Sequence, residues 1–278
     1  MPIDHYENFP VASLLLPARL REPVETLYAF ARSADDIADE GDAPAEQRLK
    51  QLADYRATLD AIDAEGVAAA RGLPPLFARL ARTIVDHHLP LKPFHDLLDA
   101  FQQDVKKNRY EDFNDLVDYC RRSANPVGRL LLTLFGAAAV ENFPYADCIC
   151  TGLQLANFWQ DVAHDWKKGR LYLPRQDLAR FKLTEEDVAA CRCDDRWRAL
   201  LAFEVARARA TLNAGAPLAR RLPGRIGWEL RLIVMGGLRV LERIEAIGYD
   251  VFALRPRLGA ADKMLAAWRA LDYPRASA

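Results

Sequence analysis

Apolar residues recur at intervals of three and four along almost the whole chain after its first twenty residues, as at Leu27, Phe30, Ala31 and Ala34. This interval matches one face of an α-helix, whereas a half-buried strand would show strict alternation. Glycines and prolines divide the pattern into segments of helical length. The sequence therefore predicts an all-α fold with helices over residues 23–40, 44–64, 73–88, 93–107, 112–140, 144–167, 184–191, 195–220, 225–248 and 259–271.

We expect these helices to form a single domain over residues 1–278. No low-complexity stretch divides the chain, and no repeat occurs at the ~33 to 47 residue periods of helical solenoids. The segment 127–140 is apolar around much of its circumference. Such a helix indicates the centre of a bundle or the wall of an apolar cavity.

The overall composition excludes several classes of protein. The chain has 278 residues, 51% hydrophobic content and a net charge of −1, so it lacks the basic domain that nucleic-acid binding normally needs. Its longest apolar runs, 11–17 and 130–140, are shorter than the about 18 to 20 residues of a membrane-spanning helix. No secretory signal is visible, which predicts a cytoplasmic protein. The five cysteines lack the C-x-x-C spacing of zinc sites, which favours structural or incidental thiols.

Two segments place acidic or amide side chains four residues apart. In NFWQDVAHDWKKGRLYLP these are Asn157, Asp161 and Asp165, and in YAFARSADDIADE they are Asp35 and Asp39. Residues four apart share one helix face, so each set is predicted to form a stripe. Acidic stripes are also common on solvated helix faces, but basic residues suited to phosphate flank both of these.

Carboxylates held this close repel one another and need a compensating charge. Proteins bind Mg²⁺ through one or two carboxylates, while water and substrate phosphates supply the remaining oxygens. Two facing stripes therefore suit the departure of a diphosphate: Mg²⁺ neutralises the leaving group, and an apolar aromatic pocket shelters the carbocation. We predict a Mg²⁺-dependent diphosphate site.

Other site chemistries fit the sequence less well. The sequence Asp161-Val-Ala-His164 differs from the Glu-x-x-His pairs of di-iron bundles, and we expect His164 on an outer helix face. His87 and His88 precede Pro90 and indicate a helix C-terminus, where cationic side chains are favoured. Because G-x-G-x-x-G and P-loop motifs are both absent, no nucleotide site is apparent, including one for NADPH.

Three motifs together resemble those of the squalene and phytoene synthase family of prenyltransferases: YAFARSADDIAD, DYCRRSANPVGRLLL and NFWQDVAHDWKKGRLYLP. The resemblance covers nearly the whole chain. It implies the all-α isoprenoid synthase fold, which is a helical bundle around a central apolar cavity, and an isoprenoid diphosphate substrate. Carried over by position, the Mg²⁺ ligands would be Asp35, Asp39, Asn157, Asp161 and Asp165.

The resemblance implies roles for further residues. Arg255 and Lys263 resemble a basic pair that helps bind diphosphate, and Lys168 is expected to assist its departure. Asp104 falls where the family commonly carries an aspartate on a central helix, although a solvated acid beside two lysines is an equal alternative. Positions that contact diphosphate or line the catalytic centre in the family are matched by Tyr28, Arg32, Tyr119, Arg170 and Tyr172.

Three departures from the family pattern indicate a subfamily. Residues 6–10 replace a Ser-x-Ser-Phe pattern, Ser123-Ala124-Asn125 replaces Val-Ala-Gly, and Gln160 stands where relatives often carry Arg. Fewer hydroxyl and cationic groups at these points argue against a site for two prenyl diphosphates. The forms HYENFPVAS and SANPVGRLLL resemble the bacterial hydroxysqualene synthases of hopanoid biosynthesis, which ionise presqualene diphosphate, rearrange the cation and quench it with water.

This resemblance leaves some roles and functions open. Segment 130–138 with Phe158 would enclose the C30 chain, and Asn125, Gln160 and Tyr119 are candidates for placing the water, with helix packing as the alternative for each. One alternative function is the condensation of two farnesyl diphosphates to presqualene diphosphate, dehydrosqualene or squalene. Another is a non-catalytic assembly role. Because a C30 product is apolar, we expect peripheral contact with the inner face of the membrane, through a surface that the sequence does not identify.

Overall fold

The structure, a computed structural model, describes residues 16–273 and contains helices but no strand within that range. The predicted all-α fold class is confirmed. The departure at residues 6–10 lies outside the described residues. The described helices are α1 (Ala18–Asp39), α2 (Ala45–Glu65), α3 (Pro75–His87), α4 (Lys92–Asp104), α5 (Phe113–Ser123), α6 (Asn125–Leu134), α7 (Phe143–Lys167), α8 (Arg175–Arg180), α9 (Glu185–Ala189), α10 (Asp195–Gly215), α11 (Leu218–Arg221), α12 (Gly224–Ala246) and α13 (Ala260–Leu271), with 3₁₀ turns at Gly66–Ala70 and Val140–Asn142.

Helix α7 lies at the centre of the bundle and packs against α5, α6, α10 and α12. Two glycines allow α10 to approach it closely. A Cβ atom on Gly152 would lie 2.8 Å from the backbone of Leu212, and one on Gly215 would lie 2.5 Å from the carbonyl oxygen of Tyr145. Because a larger residue would separate the two helices, these glycines fix α7, and with it the second acidic stripe, inside the bundle.

Three clusters of buried apolar residues form the core. One lies among α1 to α4 and α6, a second surrounds the C-terminal half of α7, and a third joins the N-terminal part of α7 to α11, α12 and α13. All three contribute residues to one internal cavity. The core is therefore built around this cavity, as the sequence led us to expect.

The prediction of one helix over 112–140 is wrong. Helix α5 ends at Ser123 and α6 begins at Asn125, with Ala124 outside helical geometry. Pro126 causes this break because it has no N–H to donate to the preceding turn and its ring crowds the carbonyl four residues earlier. Helix α6 ends at Leu134, Gly136 adopts φ +66°, and Val140 is exposed. Only the first part of the apolar segment is therefore central.

Three other predictions of helices need correction, the first being the start of α1, which lies at Ala18 and not at residue 23. The helix predicted over 195–220 ends at Gly215, and the short α11 follows Pro217. Helix α8 follows Pro174 and was not predicted, because six residues are too few to show a helical period. The helix end at His87 and His88 is confirmed, since α3 stops at His87 and His88 has a left-handed φ of 50°.

No helix among the described residues is long and apolar enough to cross a bilayer. All five cysteines are free thiols. The single domain over residues 1–278 stays a prediction, because that range extends beyond the described residues.

Candidate active site

One cavity of about 490 Å³ brings the two predicted stripes together. Most of its wall is apolar and comes from α1, α4, α6, α7 and α12. Most of its charged and amide groups form what we call the polar end of the cavity: Arg32, Asp35, Asp39, Asp104, Asn157, Asp161, Asp165, Arg170 and Arg255.

The first wall of the polar end is the inner face of α1. Asp35 and Asp39 lie one turn apart on this face and both line the cavity, as does Tyr28. Arg32 lies 3.6 Å from Asp35 and 2.7 Å from Asp36. This wall therefore carries its own cation, supplied by the same helix.

The second wall is the inner face of α7, where Asn157, Asp161 and Asp165 line the cavity. Asp161 is buried and accepts hydrogen bonds from both Nε and Nη2 of Arg255, the second at 2.8 Å. Arg255 lies in the segment that connects α12 to α13. Charge compensation on this wall is therefore tertiary, because it joins residues 94 positions apart.

Arg170 links the two walls. Its guanidinium lies 2.5 Å from Asp39 on α1, and Lys168 Nζ lies 4.0 Å from the same carboxylate. Gly169 makes this link possible, since its φ of +78° turns the chain at the end of α7. The Arg170 N–H then donates to the Asp165 carbonyl at 2.9 Å, which fixes the start of the returning segment.

The carboxyl groups of the polar end are short of positive charge. Burial, with repulsion from Asp39, raises the pKa of Asp35 to about 7 although Arg32 and Arg170 oppose the rise. Burial and the charge of Asp161 raise the pKa of Asp165 to about 8. Both carboxyls would ionise more readily if further cations were present.

This donor set fits Mg²⁺. Carboxylate and amide oxygens are the ligands that this hard cation prefers, and the raised pKa values of Asp35 and Asp165 show that additional positive charge would be stabilising. Within residues 16–273, no three histidine, cysteine, aspartate or glutamate side chains are already gathered tightly enough to hold a metal by themselves. That arrangement is compatible with Mg²⁺ ions that use one or two carboxylates and take their other oxygens from a phosphate.

An aromatic layer adjoins the polar end. The rings of Phe158 and Tyr172 stack at 3.8 Å, and Tyr119 lies 5.8 Å from Tyr172. The buried Tyr119 hydroxyl donates to Asp104 at 2.8 Å. Asp104 is thus not a solvated acid, and burial raises its pKa to about 7. Tyr110 completes the layer at 5.6 Å from Tyr172, a contact that no sequence spacing indicated.

The structure places three predicted site residues outside the polar end and the aromatic layer. The Asn125 side chain accepts a hydrogen bond from Thr151 at 2.9 Å, and the Gln160 amide donates to the carbonyl of Pro256. Lys263 is exposed on α13. Among the described residues that line the cavity, none of these three occurs. The packing alternative for Asn125 and Gln160 therefore agrees better with their contacts, while their roles in catalysis stay predictions.

Other cavity-lining polar groups were missed by sequence reasoning, namely Ser123, Gln154 and Glu229. Gln154 lies three residues before Asn157, so the helical period could have placed it on the same face. No sequence motif surrounds Glu229, so nothing in the sequence indicated that it lines the cavity. His164 is exposed, as predicted.

Comparison with known proteins agrees with this geometry. A protein-family model described as squalene/phytoene synthase matches residues 4–262. A hydroxysqualene synthase from Sinorhizobium fredii is 34% identical over 231 residues, which cover 82% of this chain and 76% of the relative. A phytoene synthase from Arthrospira platensis is 29% identical, over 94% of this chain and 87% of the relative.

Solved structures show the same relationship. The squalene synthase HpnC from Alicyclobacillus acidocaldarius superposes with a TM-score of 0.80 at 40% identity, covering 88% of this chain and 90% of that one. A dehydrosqualene synthase shares the fold, with a TM-score of 0.80 at 22% identity over 93% of this chain and 88% of that one. The chain therefore belongs to the squalene/phytoene synthase family, whose enzymes act on prenyl diphosphates.

Proposed function

We propose that this protein is a hydroxysqualene synthase, which ionises presqualene diphosphate, rearranges the cation and captures it with water to give hydroxysqualene and diphosphate. One observation carries the proposal: both acidic walls and three arginines meet at one end of a cavity whose remaining wall is mostly apolar. Such a cavity can hold an ionising diphosphate and its hydrocarbon in one orientation.

The polar end would bind the diphosphate. Arg32 and Arg170 would donate hydrogen bonds to its oxygens, and Lys168 and Arg255 would add positive charge. Mg²⁺, when bound by Asp35, Asp39, Asn157, Asp161 and Asp165, would supply Lewis-acid stabilisation of the leaving diphosphate. Arg170 would then hold the two walls together around the departing group.

The aromatic layer and the apolar wall would protect the cation. The stacked faces of Phe158 and Tyr172 offer negative π density next to the polar end. Beyond them, Val127, Leu131 and Phe135 of the α6 region line the cavity and would enclose the C30 chain. An apolar wall excludes bulk water, so the cation can rearrange before it is captured.

The environment of Gln160 supports a substrate with one diphosphate. An arginine is common at this position in relatives, whereas the Gln160 amide is turned toward Pro256 and adds no charge to the cavity. Similarity to hydroxysqualene synthases at 33% and 34% identity also supports this choice.

The alternative is the condensation of two prenyl diphosphates. Its specific support is the similarity to phytoene synthases, which reaches 30% identity over 90% of the chain. A non-catalytic assembly role has weaker support, because both acidic walls and their arginines are intact.

Product analysis separates these functions. The purified protein is incubated with Mg²⁺, without NADPH, and with either presqualene diphosphate or farnesyl diphosphate, and the products are identified by mass spectrometry. Hydroxysqualene formed from presqualene diphosphate alone is the expected result. Conversion of farnesyl diphosphate to a C30 diphosphate or hydrocarbon would establish the condensation instead, and no turnover of either would favour the assembly role.

We also propose that the outer face of α13 contacts the membrane. Met264, Trp268 and Leu271 lie on one face of this helix and are 67 to 68% exposed. The neighbouring Lys263 is exposed as well and suits anionic lipid headgroups. An apolar face with a basic border is typical of helices that lie in the bilayer interface.

Sedimentation with phosphatidylglycerol vesicles tests this surface. We expect Trp268→Ser to reduce the bound fraction severalfold, while Val67→Ser, which removes a different exposed apolar side chain, leaves the fraction unchanged. Equal binding of the wild-type protein and Trp268→Ser would exclude α13 as the contact surface.

A further inference from the structure

Beyond the polar end, two uncharged polar side chains interrupt the apolar wall of the cavity. Ser123 is the last residue of α5, and Gln154 lies on α7, one turn before Phe158. Neither belongs to an acidic stripe or to the aromatic layer. Their presence in a wall otherwise suited to hydrocarbon calls for a chemical reason.

Two contacts place Ser123 and Gln154 at the same level of this wall. On one side of them, Tyr119 of α5 lies 6.2 Å from Phe158 of α7. On the other side, Thr151 of α7 donates a hydrogen bond to Asn125 at 2.9 Å. The two chain segments therefore run antiparallel, and the positions between these contacts are those of Ser123 and Gln154.

The Ser123 hydroxyl is unsatisfied within the described part of the chain. Its Oγ is buried, and it has no hydrogen-bond partner among residues 16–273. A buried hydroxyl without a partner is unfavourable. A serine at a helix end would ordinarily bond to a carbonyl of the preceding turn; Ser123 makes no such bond, and its residue lines the cavity.

We propose that Ser123 and Gln154 hold the water molecule that captures the carbocation. The inference rests on the proposed hydroxysqualene synthase function. The C–O bond to diphosphate breaks and its electron pair leaves with the diphosphate; after rearrangement, a lone pair of the held water forms the new C–O bond. The released diphosphate takes the proton that the oxonium group loses. Ser123 and Gln154 orient the water by hydrogen bonds and are not consumed.

The same pair determines the product. A hydroxyl at position 123 can hold water against the wall, whereas an isopropyl group at the same position cannot. A cation next to such a wall would lose a proton to the released diphosphate and become a hydrocarbon. Asn125 contributes indirectly, because its bond to Thr151 fixes the start of α6 beside Ser123.

The ratio of alcohol to hydrocarbon tests the proposal. Wild-type protein, Ser123→Val, Ser123→Thr and Gln154→Leu are incubated with presqualene diphosphate and Mg²⁺ in ¹⁸O-labelled water. For Ser123→Val and Gln154→Leu we expect the ratio of labelled alcohol to hydrocarbon to fall at least about tenfold. This is the change expected when the water loses one or more of its hydrogen bonds. Substrate consumption should persist, and Ser123→Thr should retain the alcohol.

A control separates this effect from the general loss of a helical hydroxyl. Thr133→Val removes a hydroxyl that bonds to the Arg129 carbonyl and does not line the cavity, and it should leave the ratio unchanged. If circular dichroism shows that Ser123→Val is misfolded, the product ratios of Ser123→Ala and Gln154→Leu test the proposal instead. An unchanged ratio in folded variants that consume substrate would overturn the inference. Absence of alcohol from the wild-type protein would instead overturn the proposed function.

Discussion

The two acidic walls differ in the source of their positive charge. On α1, Arg32 stands three residues before Asp35 and belongs to the same helix. On α7, Asp161 depends on Arg255, which arrives only when the segment between α12 and α13 packs against α7. Arg170 then joins both walls through Asp39. The charge balance of the first wall is thus set largely within one helix, whereas that of the second wall requires the tertiary structure. The two walls together, which we call the diphosphate clamp, also require it.

Loss of a carboxylate from the second wall should have the largest effect. We expect Asp161→Asn to lower kcat/KM by about 10³-fold, because several kcal/mol of charge stabilisation by the metal would be lost. Asp147→Asn is the matched control, since Asp147 also lies on α7 and pairs with an arginine, Arg129 at 2.7 Å, but lies outside the cavity wall. Steady-state kinetics and circular dichroism check both, and retained turnover in a folded Asp161→Asn would refute the metal assignment.

Separation of the walls should have the next largest effect. Arg170→Gln removes the guanidinium link to Asp39 and leaves that carboxylate with only the more distant Lys168 on the opposite side. Truncation of one member of a partly buried ion pair costs about 2 to 5 kcal/mol, so we expect kcat/KM to fall by about 10²-fold. Arg175→Gln, which breaks a surface pair with Glu111 at 2.7 Å, is the control. Equal activities of the two variants would show that the walls act independently.

Acidification should weaken Mg²⁺ binding. The carboxyls of Asp35 and Asp165 have pKa values raised to about 7 and about 8, and each must lose its proton to bind metal. Affinity should therefore fall about tenfold per pH unit for each proton released. Calorimetric titration of Mg²⁺ with inorganic diphosphate, in two buffers of different ionisation enthalpy, measures this release. Binding that is independent of pH between 6 and 8 would contradict the electrostatic description.

The same two groups predict the pH dependence of stability. In the unfolded chain these carboxyls return to the ordinary aspartate pKa of 3.8. Between about pH 4 and pH 8 the folded protein therefore holds protons that the unfolded chain has lost. The free energy of unfolding of the metal-free protein should decrease as the pH rises through this window, and Mg²⁺ with diphosphate should reverse part of the loss. Urea unfolding at several pH values provides the measurement.

Loosening of the segment that carries Arg255 to the cavity should have the smallest effect on activity. Gln160→Leu removes the buried hydrogen bond to the Pro256 carbonyl. We expect a loss of about 1 to 3 kcal/mol in the free energy of unfolding, since a buried carbonyl loses its donor, together with a modest rise in KM. Gln176→Leu, at an exposed position of α8, should leave both unchanged. An unaltered stability for Gln160→Leu would mean that this bond does not hold the segment in place.

The sequence predicted the parts of the molecule that obey a local period. Helical spacing located α1 and α7 and both stripes, because residues four apart share a face whatever surrounds them. It failed where one residue overrides a pattern, as Pro126 does between α5 and α6. It also failed for α8, which is too short to show a period.

Contacts between distant segments could not be predicted. Nothing near Gln160 in the sequence indicates Pro256, and nothing near Tyr110 indicates the aromatic layer. Asp104 was ambiguous for the same reason, because its burial depends on Tyr119 and Arg170. These relations follow from the packing of whole helices, which a single sequence records only indirectly.

The central claim is that the two walls form one clamp for one diphosphate. The most direct measurement offers the protein an equimolar mixture of presqualene diphosphate and farnesyl diphosphate with Mg²⁺, and counts the inorganic diphosphate released for each C30 product. We predict one diphosphate for each hydroxysqualene, with all farnesyl diphosphate recovered. Two diphosphates for each C30 hydrocarbon, with farnesyl diphosphate consumed, would contradict the single-diphosphate clamp.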